Sequence, residues 1–217
     1  MNPFARVCGF GLLESLAARL PAPVALVLQL ALVTLGSLIP LLAVLSGTVG
    51  LPELLVYLVA AMVISIASTL IRLGTMANRS STTQFLMLHY SLMIGILSLV
   101  CGIWAVILMN VAGPTGGWGA LLPGLIALAL AAGWSLADGW FVRGGRAGAR
   151  AWQIVLPGYL RFIPLLLGTV LGSISIMNGA PGGEVRLIAV GLIAVQCVID
   201  IALVLAGYLS SRRWRAD

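Results

Sequence analysis

The sequence predicts an all-α, polytopic membrane bundle of six transmembrane helices preceded by a short interfacial helix. Three observations carry that reading. Hydrophobic residues make up 61% of the 217 positions and charged residues 8%, with a mean hydropathy of +1.13; an ordinary soluble domain carries roughly 25% charged residues. Six separate apolar runs each reach the length, about 20 residues, that a helix needs to cross about 30 Å of hydrocarbon. None of them alternates in the pattern of a barrel strand, so the backbone groups have to be satisfied inside helices.

The first element, residues 1–22, begins MNPFARVCGFGLLESLAARLP. It has one early arginine, Arg6, and a short apolar stretch that Glu14 and Arg19 interrupt, and no clean cleavage site follows, so it reads as an uncleaved interfacial helix ending near Pro21. Cys8 has too little apolar sequence before it for a lipoprotein signal. The spans follow at about 24–45, 51–73, 85–109, 121–141, 160–177 and 185–209. Little is left for a soluble part, and 1–217 reads as a single integral-membrane domain. Pro40 and Pro164 are expected to kink spans one and five. Span two carries Ser65, Ser68 and Thr69 on a face leading to Arg72, which reads either as packing glue or as a polar lining. Span three aligns Ser91, Gly95, Ser98 and Gly102, and span five has Gly168 and Gly172 at GxxxG spacing; both stripes allow close helix approach.

Orientation follows from the basic residues, all twelve of which are arginine. Arg6, Arg19, Arg72, Arg79, Arg143, Arg146, Arg150, Arg212, Arg213 and Arg215 fall on one side of the membrane. The opposite connections, SGTVG, VAGPTGGWG and NGAPGG, carry no positive charge, and Arg186 lies near that face beside Glu184. The positive-inside rule then puts both termini in the cytoplasm, and the expected location is the inner, cytoplasmic membrane. The net charge of +6 is a topology signal with affinity for anionic lipid headgroups, and nucleic acid is not an expected partner. The NRS at Asn78 matches a glycosylation pattern on the cytoplasmic side.

Against this background the intramembrane polar residues stand out. His89, the one histidine, lies about one turn into span three, beside Tyr90. Asp138 lies at a similar depth in span four, Arg161 enters span five from the same side, and Asp200, with Gln196 one turn away, lies deeper in span six. A charge in a span costs roughly 2.5 to 3.5 kcal/mol on the insertion scale, so such groups face the bundle interior and pair. Together His89, Tyr90, Asp138, Arg161, Gln196 and Asp200 are the expected cytoplasm-facing polar cluster. Each also has a purely structural reading: Arg161 snorkelling to the interface, Asp138 in wet headgroups beside Trp140, Asp200 in an ion pair or helix–helix hydrogen bond, His89 as a packing residue.

Other chemistry is thin. One histidine and three scattered cysteines do not make a bis-histidine haem, a zinc site or a disulfide framework, and no cofactor or metal is expected. RGGRAGAR is glycine-rich but follows a helix and lacks the phosphate-loop lysine, so it reads as a flexible basic turn. No serine nucleophile with a base is evident.

LIPLLAVL at 38–45, LLVYLVAAMVISIASTLIRL at 54–73, HYSLMIG at 89–95, the PGYLRF turn at 157–162 and QCVID at 196–200 resemble successive segments of a prokaryotic six-span integral-membrane family catalogued as a domain of unknown function. Members typically show Trp-Leu-Glu-Asn in the second span, where this chain has Leu58, Val59, Ala60 and Ala61, and extra histidines in spans three to five, where it has apolar residues or Trp134. His89-Tyr90, Tyr159-x-Arg161 and Asp200 are retained. The resemblance implies the fold and brings no activity with it. Two functions fit: a small transporter or permease-like protein using the polar cluster, or a non-catalytic subunit docking partner helices, or a second copy, through the small-residue stripes. A lipid or quinone enzyme ranks below both.

Overall fold

The computed structural model describes residues 11–77, 80–113 and 116–213. Arg6, Cys8, Asn78, Arg79 and Arg215, and the side chains of Arg212 and Arg213, lie outside what is described. The described residues form α1 (Gly11–Arg19), α2 (Ala22–Leu45), α3 (Leu51–Thr75), α4 (Ser81–Ala112), α5 (Trp118–Ser135) running directly into a π-helical segment (Leu136–Val142), the single turn α6 (Gly145–Gly148), α7 (Ala151–Met177) and α8 (Gly182–Arg213). Six of these, α2, α3, α4, α5 with its π extension, α7 and α8, are long and apolar enough to cross a membrane. The protein is a multi-pass membrane protein.

Local chemistry sets the helix ends. Ser80 caps α4 by accepting from the Thr83 amide at 3.3 Å, Pro23 and Pro52 sit in first turns where their missing N–H costs nothing, and Glu53 accepts from the Gly50 amide at 3.2 Å. α1 ends before Pro21, where the interfacial helix was expected to stop. Span five differs from expectation. It starts at Ala151 and not near 160, so PGYLRF is helix instead of a turn. Buried Ile154 and Val155 carry the apolar face back by two turns, and the Arg150 amide donates to Gln153 Oε1 at 3.0 Å to start the helix. Pro157 is tolerated inside it. RGGRAGAR contains the turn α6, entered through Gly144 at φ +75°, and Arg146 accepts at its carbonyl from the Ala77 amide at 3.1 Å.

α3 is the central helix, touching α4, α5, α7 and α8, while α2 packs between α5 and α8. The crossing of α2 and α5 is close: a Cβ added at Gly124 would stand 3.2 Å from Pro40 Cδ, and one at Gly36 would strike the Leu128 side chain. Pro40 lacks an N–H, so the Gly36 carbonyl loses its in-helix donor. Tyr57 Oη of α3 donates to that carbonyl instead, from a ring only 3% exposed. The span-five stripe is used within the chain and the span-three stripe only in part, since a Cβ at Gly95 would meet nothing within 4 Å. Cβ atoms at Gly168 and Gly172 would strike Leu192, Leu55 and Leu51, and one at Gly102 would touch Val59. α4 turns much of its apolar surface outward, with Phe85, Leu88, Leu92, Leu99 and Ile103 exposed, as a helix lying against lipid requires.

Candidate functional site

Asp200 is 1% exposed and both of its carboxylate oxygens are occupied. Arg161 Nε of α7 donates to Oδ1 at 2.5 Å and Gln196 Nε2, one turn back on α8, donates to Oδ2 at 2.7 Å. The i−4 spacing of Gln196 puts its amide over Asp200 on the same face. Arg161 also donates from Nη1 to Ser65 Oγ on α3 at 3.3 Å, so the carboxylate ties three helices together.

These groups border a cavity of about 110 Å³ in the half of the bundle where α2 and α7 begin and α3, α5 and α8 end. That volume has room for several waters or a small polyatomic ion. Five of the six spans line it. Gln29 comes from α2, Ser65, Ser68, Thr69 and Arg72 from α3, Ser135 from α5, Arg161 from α7, and Gln196 and Asp200 from α8. The serine and threonine face of span two is thus a polar lining.

Arg72 belongs to this site although its arginine reads in the sequence as a topology marker. Its Nη2 donates to Ser135 Oγ at 2.7 Å, its Nε is buried without a hydrogen-bond partner, and it shares the cavity lining with Arg161. Among the described residues no carboxylate pairs with Arg72, and the two ion pairs are Arg161–Asp200 and Arg143–Asp138. The signal for Arg72 in the sequence was the polar face that leads to it.

The expected six-residue cluster is therefore divided. Arg161, Gln196 and Asp200 converge. Tyr90 faces inward, fully buried, with its ring edge-on to Tyr159 and its hydroxyl near Ser65 and Thr69 but outside bonding geometry. His89 does not join them: α4 lines no part of the cavity, and the imidazole sits exposed on its outer face, stacked on Phe85 with ring centroids 5.7 Å apart. Asp138 stands apart as well. It lies in the π segment, 8% exposed and so not in open headgroups, where Arg143 Nε donates to it at 2.7 Å and Arg143 Nη2 donates to the Leu20 carbonyl at 3.3 Å. That pair joins the end of α1 to the end of span four. Among the described residues no three metal-ligating side chains converge.

A family model described as "Family of unknown function (DUF6498)" matches residues 19–216. The chain belongs to this family. The match runs from the end of α1 through α8 and so takes in every span and every residue of the cavity, in keeping with the resemblance drawn from the five sequence segments. No curated protein and no solved structure matches the chain.

Proposed function

We propose that this member of the DUF6498 family is a small permease-like protein of the cytoplasmic membrane, with both termini in the cytoplasm, that passes a small polar solute through the cavity between its spans. The observation that carries this reading is the polar lining contributed by five helices around the buried Arg161–Asp200 pair. Placing charges within spans costs roughly 2.5 to 3.5 kcal/mol each on the insertion scale, whereas interhelical hydrogen bonds in a membrane return about 0.6 kcal/mol on average. Helix packing alone would be served by apolar contacts. In this reading Asp200 is the group that exchanges: taking up a proton or meeting a solute dipole weakens its hold on Arg161, and α7 and α8 are then free to move relative to α3. The docking-subunit reading has less support, because the glycines of span five and Gly102 of span three face the chain's own Leu192, Leu55, Leu51 and Val59, which leaves it Gly95 alone among the glycines of those stripes.

The test is solid-supported membrane electrophysiology on proteoliposomes, with concentration jumps of inorganic phosphate, acetate, choline and neutral amino acids. At least one solute is expected to give a transient current that Asp200→Asn abolishes while the variant still inserts and elutes as a folded protein. Currents absent for every class of solute, or unchanged in Asp200→Asn, would overturn the proposal.

A further inference from the structure

The cavity carries an unbalanced charge. Its lining holds two guanidiniums, Arg72 and Arg161, against one carboxylate, Asp200, which leaves one unit of positive charge facing this space. Asp200 is committed to Arg161, with its second oxygen taken by Gln196. Arg72 holds a neutral hydroxyl, Ser135 Oγ, and keeps a buried Nε–H with no acceptor. A guanidinium offers donors in a planar fork that matches the paired oxygens of an oxyanion. An unbalanced charge within the spans is costly, so the missing counter-charge is a driving force for anion entry.

We infer that the solute handled by this cavity carries a small oxyanion group of the phosphate type, seated on Arg72 with Ser68 and Thr69 beside it and Arg161 as the second cation. This rests on the permease reading and narrows its substrate class. A cation would meet the excess positive charge. A neutral solute would leave Arg72 Nε without an acceptor of matching strength. Asp200 serves as the internal competitor: while it holds Arg161, the anion has one cation to itself, and an anion drawing Arg161 away would release the carboxylate. The phosphate group is equally the chemistry of a free ion and of a lipid headgroup, and the test separates the two sources.

The test uses Ser68→Cys in a full-length chain whose Cys8, Cys101 and Cys197 are replaced by serine or alanine, with the rate of N-ethylmaleimide modification as readout. In detergent, inorganic phosphate at ten times its dissociation constant is expected to slow modification about tenfold, since the free fraction falls as the site fills, relative to sodium chloride of equal ionic strength. Acetate is expected to compete and choline or glycerol to leave the rate unchanged, a comparison that needs no further mutation. Arg72→Gln should lose the protection and Arg72→Lys should keep part of it. In nanodiscs without added phosphate, protection in phosphatidylglycerol but not in phosphatidylcholine identifies a lipid headgroup as the source; protection by free phosphate in both identifies a solute. If Ser68→Cys reacts freely and neither source protects it, or if protection survives Arg72→Gln, the oxyanion assignment falls while the permease reading stands. If Ser68→Cys is inert in every condition, the cavity is closed to solutes and both fall.

Discussion

Tyr57→Phe removes one oxygen and leaves the ring in place, so it isolates the bond to the Gly36 carbonyl. That carbonyl is unusual in having no in-helix donor, because residue 40 is proline. Interhelical hydrogen bonds in membranes average about 0.6 kcal/mol and reach about 1.7, and a buried acceptor left without any partner costs about 1 to 3 kcal/mol. With both Tyr57 and Gly36 buried, the overlap of these ranges sets the expected loss at about 1.5 kcal/mol. The cost is specific to proline. In a Pro40→Ala background the alanine N–H again supplies the Gly36 carbonyl, and Tyr57→Phe should then cost less than about 0.5 kcal/mol, a coupling of about 1 kcal/mol. Reversible unfolding in mixed micelles of sodium dodecyl sulfate and a mild detergent measures all four corners of the cycle. A neutral Tyr57→Phe, or an equal cost in both backgrounds, would refute the account of how α3 supports the α2–α5 crossing.

Asp200→Ala leaves Arg161 in its place without its partner. Breaking a buried pair costs about 3 to 5 kcal/mol, reduced here to about 2 because the Arg161 side chain keeps 29% of its exposure; the double variant Arg161→Met with Asp200→Leu should recover at least half of the loss in the same unfolding assay. Gly158→Ala should destabilise by about 2 to 3 kcal/mol, since its Cβ would run into the Tyr90 ring and hydroxyl. Gly168→Ala should cost less, because it meets only the ends of the Leu192 and Leu55 side chains; the reverse ranking would contradict the packing. Reporter fusions at Gly116 and Gly148 should land on opposite sides of the membrane, with Gly148 cytoplasmic, and the same signal from both would overturn the six-span order.

The fold was legible because composition and run length act on each span independently of its neighbours. The boundaries that failed had tertiary causes. Span five looked shorter than it is because Pro157 and Gly158 read as a turn, and what keeps them helical is apolar burial at Ile154 and Val155, which a propensity argument does not contain. The site was legible by depth but not by azimuth. His89 and Tyr90 are neighbours in sequence, yet their side chains leave α4 about 100° apart, and the inward face went to the tyrosine. Asp138 lies in the π segment that ends span four, where Arg143 gives it a separate pair. Arg72 stayed outside the expected cluster for the opposite reason: an arginine at the end of a span serves the orientation rule, although the face of Ser65, Ser68 and Thr69 already led to it.

The central claim is that a water-filled, polar space lies among the spans while the outer face of α4 meets lipid. Modification of single cysteines in phosphatidylcholine nanodiscs free of added phosphate by a charged, water-soluble methanethiosulfonate tests it most directly, at Ser68→Cys on the cavity wall and at Leu92→Cys, where the native side chain is 51% exposed on the outer face. Rapid reaction at position 68 and none at position 92 is the expected result. Reaction at position 92 with none at position 68 would mean that water and lipid lie on the opposite faces, and the cavity would then have no part in what the protein does.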